Sequence, residues 1–241
     1  EQYGATTGVG GSVQVAGGNA VEGSGGNVEL SGGRSSIGKG GNVSLVSGDS
    51  ETSDRGSLLL SSADSLKGES GSALLATGDA ATNSGDVMIH SGDFAEGQAG
   101  SVSISPGSST QGSAAVLVSG GDSTDTEGGA VVIKSGSSVE GITGAINVHS
   151  ADAGSDGSSG AVGISTGSAV TGVSGDFALS TGDVTESGKA GDIKLSIGDS
   201  QYHVGGSVSI SGGASSDEKL GATGGGVNVF GGDATTAGGD I

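Results

Sequence analysis

Apolar and polar residues alternate in short bursts along this chain, and the bursts recur. The run Gly41-Asn42-Val43-Ser44-Leu45-Val46-Ser47-Gly48-Asp49-Ser50 has counterparts from one end to the other. With the opening Gly as position 1, units begin at 11, 26, 41, 56, 71, 85, 100, 113, 129, 144, 160, 175, 191, 206 and 225. These 15 starts lie about 15 residues apart, and 14 of them are Gly, Ser113 being the exception. Position 3 is always apolar, as in Val28, Val43, Val87, Ala115 and Ile146. Position 5 is Val, Leu or Ile in every unit, as in Leu30, Leu45, Ile89, Leu117 and Val148. Positions 2 and 4 vary and admit Gln14, Glu29, Asp192 and Lys194.

Apolar residues two apart with variable residues between them have the period of a strand. Position 8 is Gly in 13 units and Ala in two (Ala63 and Ala151), which predicts a turn after each short strand. A helix is excluded, because a Gly every seven or eight residues would cost about 1 kcal/mol each in a helix interior. One unit cannot fold alone. Two buried aliphatic side chains supply roughly 3–6 kcal/mol, whereas ordering fifteen residues costs roughly 15–30 kcal/mol of backbone entropy. Stacked units would share ladders at ~4.8 Å and pile positions 3 and 5 into an inner zipper. The expected fold is therefore all-β, a right-handed parallel β-solenoid of about fifteen ~15-residue repeats, its hand taken from parallel crossovers.

The array is expected to occupy residues 11–238, with 1–10 a partial repeat and 239–241 the start of a further one. Such ends suggest either a piece of a longer array or units that stack end to end. Units six apart resemble each other: Ser62-Ala63-Asp64 matches Ser150-Ala151-Asp152, which suggests duplication of a six-unit block. Some apolar residues fall on the outward positions, among them Leu59, Leu74, Val116, Val118 and Val132. They predict a lateral packing stripe.

Composition narrows the function classes. The chain has 241 residues, 55 of them Gly, one Pro, no Cys, no Trp, three Phe and two Tyr. That is too little bulk for an ordinary core, and the absence of Cys excludes disulfides and thiolate metal sites. With 27 acids against 8 bases the net charge is −19, which makes nucleic acid a poor partner. No run approaches the ~18 apolar residues of a membrane span, and Glu1-Gln2-Tyr3-Gly4 does not open a signal peptide.

The runs Gly-Asp-Val-Met-Ile-His-Ser-Gly-Asp (85–93), Gly-Ala-Ile-Asn-Val-His-Ser-Ala-Asp (144–152) and Gly-Ser-Val-Ser-Ile-Ser-Gly-Gly (206–213) carry a resemblance. They are similar to glycine/serine-rich repeat regions of large secreted surface or fibre proteins of diatoms and related algae. The resemblance implies an extracellular or cell-surface, fibre-forming role without enzymatic activity. The lack of a leader departs from that pattern unless the residues are an excised segment.

Candidate chemistry is sparse. Position 9 is Asp in eight units: Asp49, Asp64, Asp79, Asp93, Asp152, Asp183, Asp199 and Asp233. Stacked at ~5 Å their carboxylates would repel, so one reading is a weak calcium-binding column and the other a turn-favouring, solubilising edge. His90 and His149 sit at position 6 and His203 in a long corner, with no convergent ligands in view. Ser is too abundant to mark a nucleophile, and repeat-to-repeat equivalence leaves no unique cleft, so no enzyme is expected. Asn42-Val43-Ser44 is the one N-glycosylation sequon, making Asn42 a candidate glycan site beside O-linked Ser and Thr in the corners. The expected role is a structural one, self-association into a homopolymeric filament or bundle. The alternative is a binding module, either an adhesin stalk or an ice- or mineral-surface binder.

Overall fold

Gly punctuates this chain at fixed intervals, and the backbone uses it to close loops rather than to turn strands. A computed structural model describes residues 9–51, 53–94, 97–112, 114–216, 222–234 and 238–239. Ser113 and most of the two expected terminal part-repeats lie outside the described residues, as does Asp217-Glu218-Lys219-Leu220 in the longest unit. The chain divides into two units, Glu1–Ser119 and Gly120–Ile241.

Within each unit the same local structure repeats. Positions 1 to 8 run without a bend, and bends fall in the connections between them, for example at 21–23, 36–38, 66–68, 139–141 and 201–203. At the end of a segment the chain loops out and returns, and the two feet of the loop meet in a neck. In the first unit the N–H groups of Gly26, Gly41 and Gly56 donate to the carbonyls of Gly18, Gly33 and Gly48 at 2.9, 2.8 and 3.0 Å. In the second, Gly129, Gly144, Gly225 and Gly239 donate to Gly121, Gly136, Gly213 and Gly232 at 2.8 to 2.9 Å. Position 1 thus binds position 8 of the repeat before it.

The necks come in two kinds. Five units have Gly at position 7 (Gly17, Gly32, Gly212, Gly231 and, in a unit that opens at Ala114 as argued below, Gly120), and in each the residue just before the next repeat is also Gly. All five of these necks carry the hydrogen bond, whereas only two of the other ten do so among the described residues. The reason is steric. A Cβ on Gly17, Gly32, Gly120, Gly212 or Gly231 would overlap the carbonyl oxygen of the facing position-1 Gly. Where position 7 is Ser the feet stand farther apart, and a Cβ on Gly56 or Gly144 would lie 3.4 or 3.3 Å from the Cβ of Ser47 or Ser135. Position 7 is also the least exposed point of the repeat. Among the described residues only Gly17, Ser47, Ser50, Ser91, Gly120, Ser135, Ser150 and Gly231 are of intermediate burial rather than exposed, and all but Ser50 occupy it.

The expected β-solenoid is overturned. Among the described residues there is neither a strand nor a helix, and the only backbone–backbone hydrogen bonds are the seven necks and the Gly154–Gly157 turn (3.2 Å). Among the described residues no ladder joins one repeat to the next. The inner zipper is overturned with it: no described residue is buried, and Val43 and Leu45 keep 53% and 58% of their surface in water. The physical cause is local closure. A loop of about eight residues costs roughly 0.6 kcal/mol less to close than a turn of fifteen. Two aliphatic side chains per repeat do not offset the entropy of ordering the remainder within one chain.

The repeats do cover one another slightly. Val13, with no complete repeat ahead of it, is 93% exposed, whereas Val28, at the same position one repeat on, is 49% exposed. That half-covered state persists along position 3, through Val43, Val87, Val131, Ile193 and Val227. It also corrects one register. Val116 (52%) and Val118 (70%) match positions 3 and 5, while Leu117 (87%) points away. The neck agrees, since Gly129 binds Gly121 rather than Gly120. This unit therefore opens at Ala114 instead of Ser113, and Val116 and Val118 leave the outward stripe, which Leu117 joins. The run Ala114-Ala115-Val116-Leu117-Val118 has no polar residue within it to fix its phase.

Candidate functional site

What this backbone presents, repeat after repeat, is an aliphatic pair at positions 3 and 5 followed by a polar loop, which a neck hydrogen bond closes in seven repeats among the described residues. The pairs Val28/Leu30, Val43/Leu45, Val131/Ile133, Ile146/Val148 and Val208/Ile210 are all exposed. Position 4 adds Leu59, Leu74, Met88 and Val132, which are more exposed than the flanking position 3 wherever that residue is large. The accessible surface totals 24454 Å² for 22.3 kDa. A compact monomer of that mass would expose about 9,400 Å² and its fully extended chain about 32,000 Å². The unpartnered chain thus leaves most of its apolar side chains in water, a condition that favours association.

The loops are shaped by their own side chains. At position 10, Ser35, Ser50, Ser65, Ser109, Ser123, Ser138 and Ser200 each accept a backbone N–H from two or three residues on. The shortest are from Gly38 to Ser35 Oγ and from Gly141 to Ser138 Oγ, both 2.8 Å. A hydroxyl that takes over a backbone donor offers a loop an alternative to regular structure, which is why Ser recurs here. The sequence carried this signal in its position-10 Ser, but against a background of abundant Ser it was not singled out. The loop of residues 50–55 has an ion pair across its feet, Arg55 Nε to Asp49 Oδ1 at 2.5 Å. Lys189 reaches Asp192 at 2.7 Å in another loop. Arg55, Asp49 and Lys189 are largely exposed and Asp192 is about half exposed, so these pairs steer loop geometry more than they add stability. The residues lining hollows are those of open loops, Ser50, Glu51, Ser53, Asp54 and Arg55 in one and Ser108, Ser109 and Thr110 in another.

The candidate calcium ligands are not brought together. Asp49, Asp64, Asp79, Asp93, Asp152, Asp183, Asp199 and Asp233 are exposed, each at the foot of its own loop. Among the described residues no three His, Asp or Glu side chains converge as a metal site would require. Asp49 instead accepts from Arg55 and from the N–H of Ser50 (2.8 Å). His90 contacts the carbonyl of Ser91 through Nδ1 (3.1 Å), and His149 and His203 are exposed. Asn42, at position 2, is exposed in its segment. No helix among the described residues is long and apolar enough to cross a membrane. Compared with known proteins, no family model, no curated protein and no solved structure matches this chain.

Proposed function

We propose that this chain is a structural protein, a segment or subunit of an extracellular filament or cell-surface fibre, that works by self-association. The observation that carries the reading is the exposed aliphatic pair repeated at positions 3 and 5 through both units of the chain. Covering such a pair against a partner returns roughly 2–3 kcal/mol per repeat, since position 3 is already half covered. Several repeats in contact outweigh the repulsion between acidic loops, which amounts to about 1 kcal/mol for charges 4 Å apart in water and fades beyond ~8 Å at physiological salt. The loops carry the charge that keeps such a material hydrated. Calcium then acts on the loops as one of the screening cations, weakly and without a dedicated cage, and Asn42 and the loop hydroxyls are the positions for glycans.

Sedimentation velocity of the purified chain over a concentration series tests the reading. Concentration-dependent assemblies are expected, and a chain with Val43, Leu45, Val131 and Ile133 all changed to Asp should need a higher concentration to form them. A chain that stays monomeric at every concentration and salt level overturns the reading. Binding of monomers to a crystalline mineral or ice surface under those conditions would favour a surface-binding module instead.

A further inference from the structure

We infer that the bond between Asp156 and Gly157 is a site of spontaneous covalent rearrangement, at which the aspartate passes through a cyclic imide to isoaspartate. The inference concerns one loop and does not depend on the self-association proposed above.

The reaction needs an aspartate whose following backbone nitrogen can reach its side chain. That approach is least hindered where the following residue is Gly, which has no Cβ. Asp156-Gly157 is the one Asp-Gly pair in the chain, and no Asn-Gly pair occurs. The next least hindered pair is Asp-Ser, found four times, at Asp49, Asp64, Asp122 and Asp199.

The structure separates these five places. In each Asp-Ser pair the Ser side chain braces its own loop. The Oγ atoms of Ser50, Ser65, Ser123 and Ser200 accept the N–H three residues on, at 3.0, 3.0, 3.1 and 3.2 Å. Such a contact restrains the backbone just after the aspartate. Asp49 is engaged further, since its Oδ1 accepts from both Ser50 N–H and Arg55. Asp156 is exposed, and Gly157 has no side chain with which to brace the loop. The reacting nitrogen is held by the Gly154 carbonyl at 3.2 Å, the longest backbone–backbone hydrogen bond among the described residues. An exposed turn of this kind opens readily. Its loop, residues 151–159, also lacks the neck hydrogen bond that closes seven others among the described residues.

The chemistry balances with water alone. The Gly157 nitrogen attacks Cγ of the Asp156 side chain in its carboxylic acid form. The N–Cγ bond forms, the acid hydroxyl leaves, and the amide proton departs with it as water. Water then adds to one of the two ring carbonyls. Opening at Cγ restores aspartate. Opening at the backbone carbonyl carbon breaks its bond to the Gly157 nitrogen, and the chain then runs through Cβ and Cγ. Nothing is oxidised or reduced, and the mass is unchanged. The backbone gains one atom, so the Gly154–Gly157 turn loses its spacing, and a carboxylate stands free where the main chain had passed.

The test incubates the full chain at neutral pH and digests samples over time with a protease that cuts before Asp but not before isoaspartate. The cut between Ser155 and Asp156 should be lost progressively, leaving fragment 152–175 whole and of native mass, since the next Asp is Asp176. This loss should precede any at the four Asp-Ser aspartates. Gly157→Ala is the second arm. A Cβ there would stand 3.6 Å from Ala153 Cβ and 3.9 Å from Gly154 N and O, which are ordinary contacts. The variant therefore keeps the turn while crowding the attack, and the cut before Asp156 should persist. Cuts lost equally fast at the Asp-Ser pairs, an unchanged rate in Gly157→Ala, or complete cutting before Asp156 throughout would each overturn the inference.

Discussion

Gly41 donates its N–H to the carbonyl of Gly33 at 2.8 Å, and this bond joins the end of one repeat to the start of the next. In this neck a Cβ on Gly32, the neighbour of Gly33, would strike the carbonyl oxygen of Gly41, whereas the necks beside Ser47 and Ser135 make room for a side chain. Gly33 itself has open space where a Cβ would go.

Gly32→Ala should therefore open this neck, whereas Gly33→Ala should leave it closed. The bond is exposed and worth about 1 kcal/mol net, so its loss corresponds to roughly fivefold faster exchange. Amide hydrogen exchange at Gly41 checks this. Equal exchange in the two variants would show that the neck does not depend on the missing side chain.

The loop hydroxyls give a second expectation. Ser65 Oγ accepts from the N–H of Gly68 at 3.0 Å. Ser65→Ala should free that amide and raise its exchange a few-fold, consistent with a net worth near 1 kcal/mol or less for an exposed hydrogen bond. Ser65→Thr keeps the acceptor and should preserve protection. Exchange at Gly68 by NMR separates the three chains.

Gly172 has φ of 99°, with nothing within 4 Å of the position a Cβ would occupy. Its requirement is conformational and not a matter of space. Gly172→Val should cost about 1–2 kcal/mol of local loop stability, because β-branched residues rarely enter this region. Gly172→Asn should cost less. Chemical shifts and exchange across residues 170–174 report the difference, and identical behaviour of the two variants would argue against a positive φ.

Electrostatics supplies the last expectation. With a net charge of −19, copies repel one another at long range. Raising NaCl from about 20 to about 300 mM shortens the screening length from roughly 20 Å to roughly 6 Å and should lower the concentration at which assemblies form. CaCl₂ and MgCl₂ matched for ionic strength should act alike, because the Asp residues at position 9 stand one to a loop and do not converge. Sedimentation in the three salts checks this, and a calcium-only effect would point to a built site between copies.

Much of the local organisation is legible in the residues themselves. The position-1 and position-8 Gly mark the two feet of each neck, and the alternation at positions 3 and 5 marks the face that the repeats present. Two features were not. The unit around Leu117 was placed one residue early, because Ala-Ala-Val-Leu-Val offers no alternation and Gly120-Gly121 offers two candidate feet. The paired Gly at position 7 and before the next repeat, such as Gly32 with Gly40, carry no distinguishing mark in a chain with 55 Gly, and the overlap that the position-7 Gly avoids exists only in the folded neck.

The amino-acid sequence by itself determined the repeat, its apolar face and its acidic loops, because these follow from steric and hydrophobic rules acting over a few residues. Whether successive repeats pair with one another was decided by tertiary structure alone. A period of about fifteen with alternating Val and Leu serves a stacked coil or a string of closed loops equally well. The choice turns on a balance between loop closure, chain entropy and the burial of two side chains per repeat, and that balance is struck among distant parts of the backbone. In this chain it favours the necks, and the aliphatic faces stay in water.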